Sequence, residues 1–272
     1  MIKLGHIIYS NCLPMHAGII TGVVPFPFTL VDGIPTALNR LLLDGGIDIS
    51  PSSSIEYAYN PGRYRILPGF SITSRSAAKS IILQSSVPLN ELDRGTVALT
   101  TASATSVVLL RILLELRSGL SPDYIDFEQG KEEPPARVHA ALTIGDHALK
   151  LEPSPRFPHL YDLGALWHEF TGLPFVFALW QVNYKKTIDK DLVLLYDVLQ
   201  RSKEYGLSHL EGLARDYSAR FGIPAERLLD YWRSFSFDLS EKEQKGLLTY
   251  YAYAAELGMI ESVPDLRFWQ AP

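Results

Sequence analysis

One junction occurs in kind four times along the chain, and that recurrence limits what it can fold into. Ile7-Ile8-Tyr9-Ser10-Asn11-Cys12-Leu13-Pro14 reads as a buried strand that stops at a polar elbow before a helix opened by proline. Pro51-Ser52-Ser53-Ser54-Ile55-Glu56-Tyr57, Thr101-Ala102-Ser103-Ala104-Thr105-Ser106 and Ile144-Gly145-Asp146 also set small polar residues between a strand and a helix. Strands alternating with helices need crossover connections, so mostly parallel sheets flanked by helices are expected. At each elbow the first N–H groups of a helix lack partners within it, and hydroxyls stand beside them. Such groups suit a carboxylate or phosphate. Several of them in one chain, with no nucleotide-binding glycine motif, point to a small organic anion.

The periodicity predicts strands over 3–9, 26–31, 47–50, 65–67, 69–73 and 80–85, with helices over 14–21 and 34–43. A second alternating stretch gives strands over 96–100, 124–127, 139–144 and 174–182 and helices over 105–117 and 162–171. Gly45-Gly46, Gly172 and Gly222 stop helices. From 188 onward only helices are expected, the last burying Leu247, Tyr250, Tyr251, Ala254 and Leu257. Ser208 with Glu211, and Ser240 with Glu243, have capping-box spacing. The expected organisation is two-lobed: 1–84 and 181–272 in lobe 1, with the C-terminal helices packed there, and 85–180 in lobe 2. The chain would cross between lobes near 80–85 and 175–183. Ligands of such folds bind at the carboxyl ends of strands, facing the crevice, where all four elbows fall.

Composition narrows the ligand and the compartment. The formal net charge of −5 gives no general attraction to nucleic acid or an anionic membrane, so local groups must hold an anion. Cys12 is the single cysteine, which excludes an intrachain disulfide and reads as a small buried hydrophobe. No segment approaches the ~18 apolar residues of a membrane span. The start, Met1-Ile2-Lys3-Leu4 leading to Gly5 and His6, lacks a signal-peptide apolar stretch, and a cytoplasmic protein is expected. There is no GxSxG, GxxxxGK[ST] or GxGxxG, and the histidines show no metal-ligand spacing, so no metal or cofactor is expected.

Each elbow carries two readings. Asn11 is either a turn residue or an amide turned toward a ligand with help from Tyr9 and Ser10. One of Ser52, Ser53 and Ser54 is needed as a helix cap, leaving the others for ligand. Ser103, Thr105 and Ser106 open a helix too apolar to be exposed, so its first N–H groups need partners. Gly145 and Asp146 form a fourth start, with Asp146 a helix cap or a polar contact. Ser80, opening the apolar run Ile81-Ile82-Leu83, is a satisfied hydroxyl or a site residue at the lobe crossing.

In order and spacing, these motifs resemble the chorismate dehydratase family of menaquinone biosynthesis. The resemblance rests on Tyr9-Ser10-Asn11 with Pro14, Pro51 to Tyr57, Asn60-Pro61-Gly62, Ser80 to Leu83, and Thr105 to Arg111. It continues through Ile144-Gly145-Asp146, Tyr161-Asp162-Leu163-Gly164 and Thr171 to Ala178. It implies a periplasmic-binding-protein-like (type II) fold used as a cytoplasmic, cofactor-independent enzyme of the futalosine route. The reaction implied is loss of water from chorismate to give 3-[(1-carboxyvinyl)oxy]benzoate. Asn11 and Ser80 then match catalytic positions, and Thr105 and Ser106 a carboxylate-gripping one. The substrate would also meet Tyr9, Ser10, Ser53, Ser54, Ser103, Gly145 and Asp146. The family's Gly-Pro-like approach to the serine is replaced here by Ser74-Arg75-Ser76-Ala77-Ala78-Lys79. For the base, the substrate's own enolpyruvyl carboxylate and Glu56 both stand open. Competing readings are a non-catalytic anion-binding protein, the sister dihydroxynaphthoate-forming enzyme, and prephenate dehydratase, whose Thr-Arg-Phe signature is absent.

Overall fold

A computed structural model describes residues 1–184 and 189–270. The chain divides into two compact units. Unit 1 takes Met1–Ile72, Ala178–Leu239 and Asp265–Pro272, and unit 2 takes Thr73–Phe177 and Ser240–Pro264.

Unit 1 begins with β1 (Lys3–Ile7), α1 (Leu13–Ile20), β2 (Thr29–Gly33), α2 (Pro35–Asp44), β3 (Ile49–Ser53) and α3 (Ser54–Tyr59). The strand β4 (Tyr64–Ser74) carries the chain into unit 2. There follow β5 (Ile81–Ser85), β6 (Thr96–Thr100), α4 (Ala104–Arg111), β7 (Asp123–Phe127) and β8 (Ala140–Ile144). Then come α5 (Gly145–Leu149), β9 (His159–Asp162) and α6 (Leu163–Thr171), and β10 (Phe175–Asn183) returns to unit 1. The helices α7 (Asp189–Ser208), α8 (Leu210–Phe221) and α9 (Ala225–Arg233) precede β11 (Phe235–Ser236) and α10 (Glu241–Glu256). The expected helix start at Ile188 lies outside the described residues.

The six-stranded sheet runs β11-β4-β10-β3-β1-β2, with β1 parallel to β2 and β3 and β10 antiparallel to β3. The five-stranded sheet runs β7-β6-β8-β5-β9; β6 is parallel to both neighbours, while β5 is antiparallel to β8 and β9. Every residue of β3, β5, β8 and β10 is buried, as strands covered on both faces require. No helix among the described residues is long and apolar enough to cross a membrane.

Several expectations are corrected. The short strands read over 65–67 and 69–73 are one strand, β4, which the Pro68-Gly69 pair distorts without ending. The first crossing lies within β4 and not near β5, so Ser80 belongs wholly to unit 2. The C-terminal helices do not all pack on the first lobe: α7, α8 and α9 do, whereas α10 belongs to unit 2. The reason is its aromatic stripe. Tyr250 meets the Phe175 and Trp167 rings at centroid distances of 4.9 and 6.4 Å, and Tyr253 stacks on Phe170 at 5.1 Å.

The capping boxes divide in the same way. Ser240 and Glu243 form theirs at the start of α10. Ser208 instead ends α7, its hydroxyl donating back to the Glu204 and Tyr205 carbonyls at 2.7 and 3.0 Å, and α8 starts without a side-chain cap. The helix expected over 105–117 is α-helical only to Arg111 and continues as a π-helical turn over Ile112–Arg117.

Candidate active site

Parallel strands end on one edge, and in unit 1 that edge collects the first two elbows. After β1 the segment Ser10–Cys12 forms a 3-10 turn, fixed from outside by Trp232 Nε1, which donates to the Ser10 carbonyl at 2.8 Å. Tyr9 and Ser10 are buried and Asn11 is half-buried. The Asn11 Oδ1 atom is buried with no hydrogen-bond partner among the described residues. The neighbouring strand β3 ends in Ser52 and Ser53, and Ser54 begins α3; all three are buried. Asn39 Oδ1 accepts from the Ser53 N–H at 3.2 Å, and Gln181 Nε2 donates to the Ser53 carbonyl at 3.0 Å. Ser52 Oγ, like Asn11 Oδ1, is buried and unpartnered. The expected serine cap is not made: Ser53 occupies the cap position without a side-chain bond. Glu56, in the first turn of α3, is half-buried, and burial raises its carboxyl above the ordinary range.

Unit 2 gathers its elbows through mixed pairing. Because β5 runs against β8, Ile81 pairs with Ile144, and the start of β5 lies beside the end of β8. The Ser80 carbonyl accepts from the Gly145 N–H at 2.8 Å, so two of the expected site residues are bonded directly. Gln129 ties this junction to the next strand end. Its Oε1 accepts from Thr100 Oγ1 at 2.8 Å and the Ile144 N–H at 3.0 Å, and its Nε2 donates to the Ile144 carbonyl at 3.1 Å. Ser103 caps α4 by accepting the Ser106 N–H at 3.3 Å, and the two hydroxyls lie 3.0 Å apart. Thr105 is buried, and its carbonyl accepts from the Tyr250 hydroxyl at 3.1 Å. Asp146 lies in the first turn of α5 and is not its cap, a position held by Ile144.

The anion-well argument narrows accordingly. The helices α3 and α5 have six and five residues, too short to develop an end charge worth counting. Two elbows lead into helices of eight residues; α1 has proline in its first turn, which removes an N–H there, and α4 keeps its first N–H groups and runs on into further turns. The other elbows contribute individual hydroxyl, amide and N–H groups.

Spacing missed one cluster. His6, Cys12 and His16, read separately as lacking any metal pattern, come together, their donor atoms within 4.8 Å of one another. A strand, a turn and a helix fold back to bring residues ten positions apart into contact. The two Nδ1 atoms share a hydrogen bond of 2.9 Å, and Cys12 Sγ lies 3.9 Å from His16 Nδ1. Burial lowers the His6 imidazole to about 4, lowers His16 well below its ordinary value with His6 beside it, and pushes the Cys12 thiol up to about 12. The trio is therefore neutral near pH 7. These are the described side chains that could ligate a metal ion, and the His–His hydrogen bond occupies two of the three donors. Gln129, Gln181, Asn39 and Trp232 also escaped the sequence reading, for they act across the fold and leave no local pattern.

The chain matches the menaquinone biosynthesis family over residues 2–256. It belongs to that family. Among curated relatives of this member, a chorismate dehydratase of Thermus thermophilus is 34% identical over 267 residues, covering 92% of this chain and 93% of its own. A chorismate dehydratase of Campylobacter jejuni is 31% identical over 195 residues, 70% of this chain and 71% of its own. A Thermus thermophilus 1,4-dihydroxy-6-naphtoate synthase is 26% identical, covering 90% and 89%. A solved protein of Archaeoglobus fulgidus superposes with a TM-score of 0.76 at 18% identity, covering 95% of this chain and 98% of that one. The periplasmic aliphatic sulphonate binding protein of Escherichia coli gives 0.63 at 14% identity, covering 100% and 92%. The menaquinone biosynthesis family member thus has the periplasmic-binding-protein-like fold its motifs led us to expect.

Proposed function

We propose that the chain is a chorismate dehydratase, eliminating water from chorismate to give 3-[(1-carboxyvinyl)oxy]benzoate in the futalosine route to menaquinone. The observation that carries this reading is the 34% identity to a protein of that name over 92% of the chain. The proposal includes a cytoplasmic hydro-lyase that uses no cofactor and has a small molecule, not nucleic acid or membrane, as its partner.

The chemistry asks for orientation and charge stabilisation. Removing the ring hydrogen beside the ether leaves an anion delocalised toward the ring carboxylate. Expelling the neighbouring hydroxyl then makes the ring aromatic, and the hydrogen and hydroxyl depart together as water. Hydrogen-bond donors fixed before reaction are worth about 2.7–4 kcal/mol each when aimed at developing charge. In this reading Asn11 is catalytic: its unpartnered Oδ1 accepts from the ring hydroxyl, the one hydroxyl donor on an ionised substrate, and its amide N–H steadies that oxygen as it leaves. Ser80 is the second catalytic group, through its buried hydroxyl. Thr105, Ser106 and Ser103 at the start of α4 hold one carboxylate, supported by helix-end N–H groups. Tyr9, Ser10, Ser53, Ser54, Gly145 and Asp146 complete the substrate contacts. The enolpyruvyl carboxylate of the substrate is our choice of base.

The second reading, favoured by the match to the naphtoate synthase, is the sister reaction on a bicyclic substrate. Purified protein stripped of metal with a chelator is mixed with chorismate and the products followed by chromatography and mass spectrometry. A new aromatic product lighter by one water, lost in Ser80→Ala, supports the proposal. Prephenate and 4-hydroxybenzoate alone, at the rate of a blank, would refute it and turn attention to the bicyclic substrate or to simple anion binding.

A further inference from the structure

We propose that Asp162 is a positioning residue for Ser80, an inference that rests on the dehydratase reading for its catalytic meaning. Ser80 enters β5 from a turn in which Lys79 takes a left-handed backbone, with φ of 60°. A side chain other than glycine or asparagine rarely holds that conformation unaided, so surrounding groups must fix it. Asp162 supplies the fixing group. Its Oδ1 accepts from the Ala78 N–H at 2.9 Å and its Oδ2 from the Lys79 N–H at 2.6 Å. The same Oδ1 accepts from the Ala165 N–H at 3.0 Å and so caps α6. One carboxylate thus binds the start of a helix to the two amides that precede Ser80. Charged acceptors make such bonds stronger than neutral ones.

Topology explains the placement. Antiparallel pairing of β5 with β9 sets Ile82 opposite Asp162, so the end of β9 arrives beside the turn leading into β5. Gly164 leaves room for the contact: a Cβ there would come within 2.7 Å of both the Ala78 nitrogen and the Ser76 oxygen. On its other side Ser80 is held through its carbonyl by the Gly145 N–H. Ser80 is enclosed and its hydroxyl donates to the Ala78 carbonyl at 3.4 Å, so its direction is tied to the turn that Asp162 holds. Asp162 acts on catalysis through that turn, without touching substrate.

The test separates the clamp from the cap. Asp162→Ser keeps a side chain suited to capping α6 but has one oxygen where the clamp and cap use two. We expect kcat for chorismate to fall at least tenfold with KM within about twofold, and the melting temperature to fall by a few degrees because the Ala78 and Lys79 N–H groups lose their acceptor. Adding Lys79→Gly, which accepts the left-handed backbone freely, should recover most of that loss. Amide hydrogen exchange at Ala78 and Lys79 should quicken at least tenfold in Asp162→Ser. Wild-type kcat in Asp162→Ser, or a loss that Lys79→Gly leaves untouched, would overturn the proposal. Exchange reports on the clamp whether or not chorismate is the substrate. Faster exchange in a protein whose wild type ignores chorismate would remove the dehydratase reading and leave the clamp standing; unchanged exchange would remove the clamp itself.

Discussion

At the strand ends of unit 2, polar groups are bonded to one another: Ser103 to Ser106, Thr100 and Ile144 to Gln129, Ser80 to Gly145, and the turn before it to Asp162. In unit 1 the supporting bonds go to the backbone, from Trp232, Asn39 and Gln181, and side-chain atoms at the same edge are left alone. Among the described residues, the buried side-chain polar atoms without partners include Asn11 Oδ1, Ser52 Oγ and Gln181 Oε1 in unit 1, and only Ser74 Oγ in unit 2. A buried unsatisfied polar group costs about 1–3 kcal/mol, so a ligand or water that bonds Asn11 Oδ1 or Ser52 Oγ gains by doing so. The contrast teaches a division of labour. In the proposed dehydratase reading, the bonded groups of unit 2 are a frame set in advance, and the unpartnered groups of unit 1 are the ones that wait for a ligand.

The sharpest way to break that comparison is Asn11→Ala. Turnover should fall by roughly 10²–10³ while the fold survives, because the removed oxygen has no structural partner to lose; a melting temperature that drops with activity would contradict this. Next in size is the pH dependence of stability. Burial holds His6 neutral down to about 4, whereas the unfolded chain takes up its proton near 6.5. The stabilisation is therefore complete above pH 6.5 and lost as pH falls toward 4, by about 3 kcal/mol. Thermal melts across that window should show the decline, and His6→Asn should lessen it while buried His16 keeps its own share.

A smaller effect is expected from Gln181→Leu, which leaves the Ser53 carbonyl unpaired. Stability should fall by about 1–3 kcal/mol, with a raised KM, because the β3 elbow loses its support. Equal KM values would mean that this elbow is rigid without Gln181. Least of all should come from Glu56→Gln. If the substrate's own carboxylate is the base, turnover stays within about threefold; a loss of a hundredfold would make Glu56 the base.

How much of this was legible in the sequence follows from the range over which each feature acts. The elbows were, since a strand, a few small polar residues and a helix start are contiguous in sequence, and Thr96–Thr100 was read with its true bounds. The buried stripe of α10 was also legible, but a stripe says that a face is covered and not by what. Trp167 and Phe175 decide that, and they lie in another part of the chain. Asp162 has the spacing of a cap for α6, while its grip on Ala78 and Lys79 depends on how β5 and β9 pair. His6, Cys12 and His16 were invisible to spacing rules because three different kinds of backbone separate their donors. In the candidate site, the residue types were legible and their hydrogen-bond state was not.

The most direct test of the division between a set frame and waiting groups is a crystal structure of Ser80→Ala with chorismate bound. The account predicts the Asn11 amide within hydrogen-bond distance of the ring hydroxyl, a carboxylate at Thr105 and Ser106, and the Gln129 and Ser103 bonds as they are now. Chorismate bound with Asn11 Oδ1 still unpartnered, or the unit 2 bonds rearranged around it, would contradict the account.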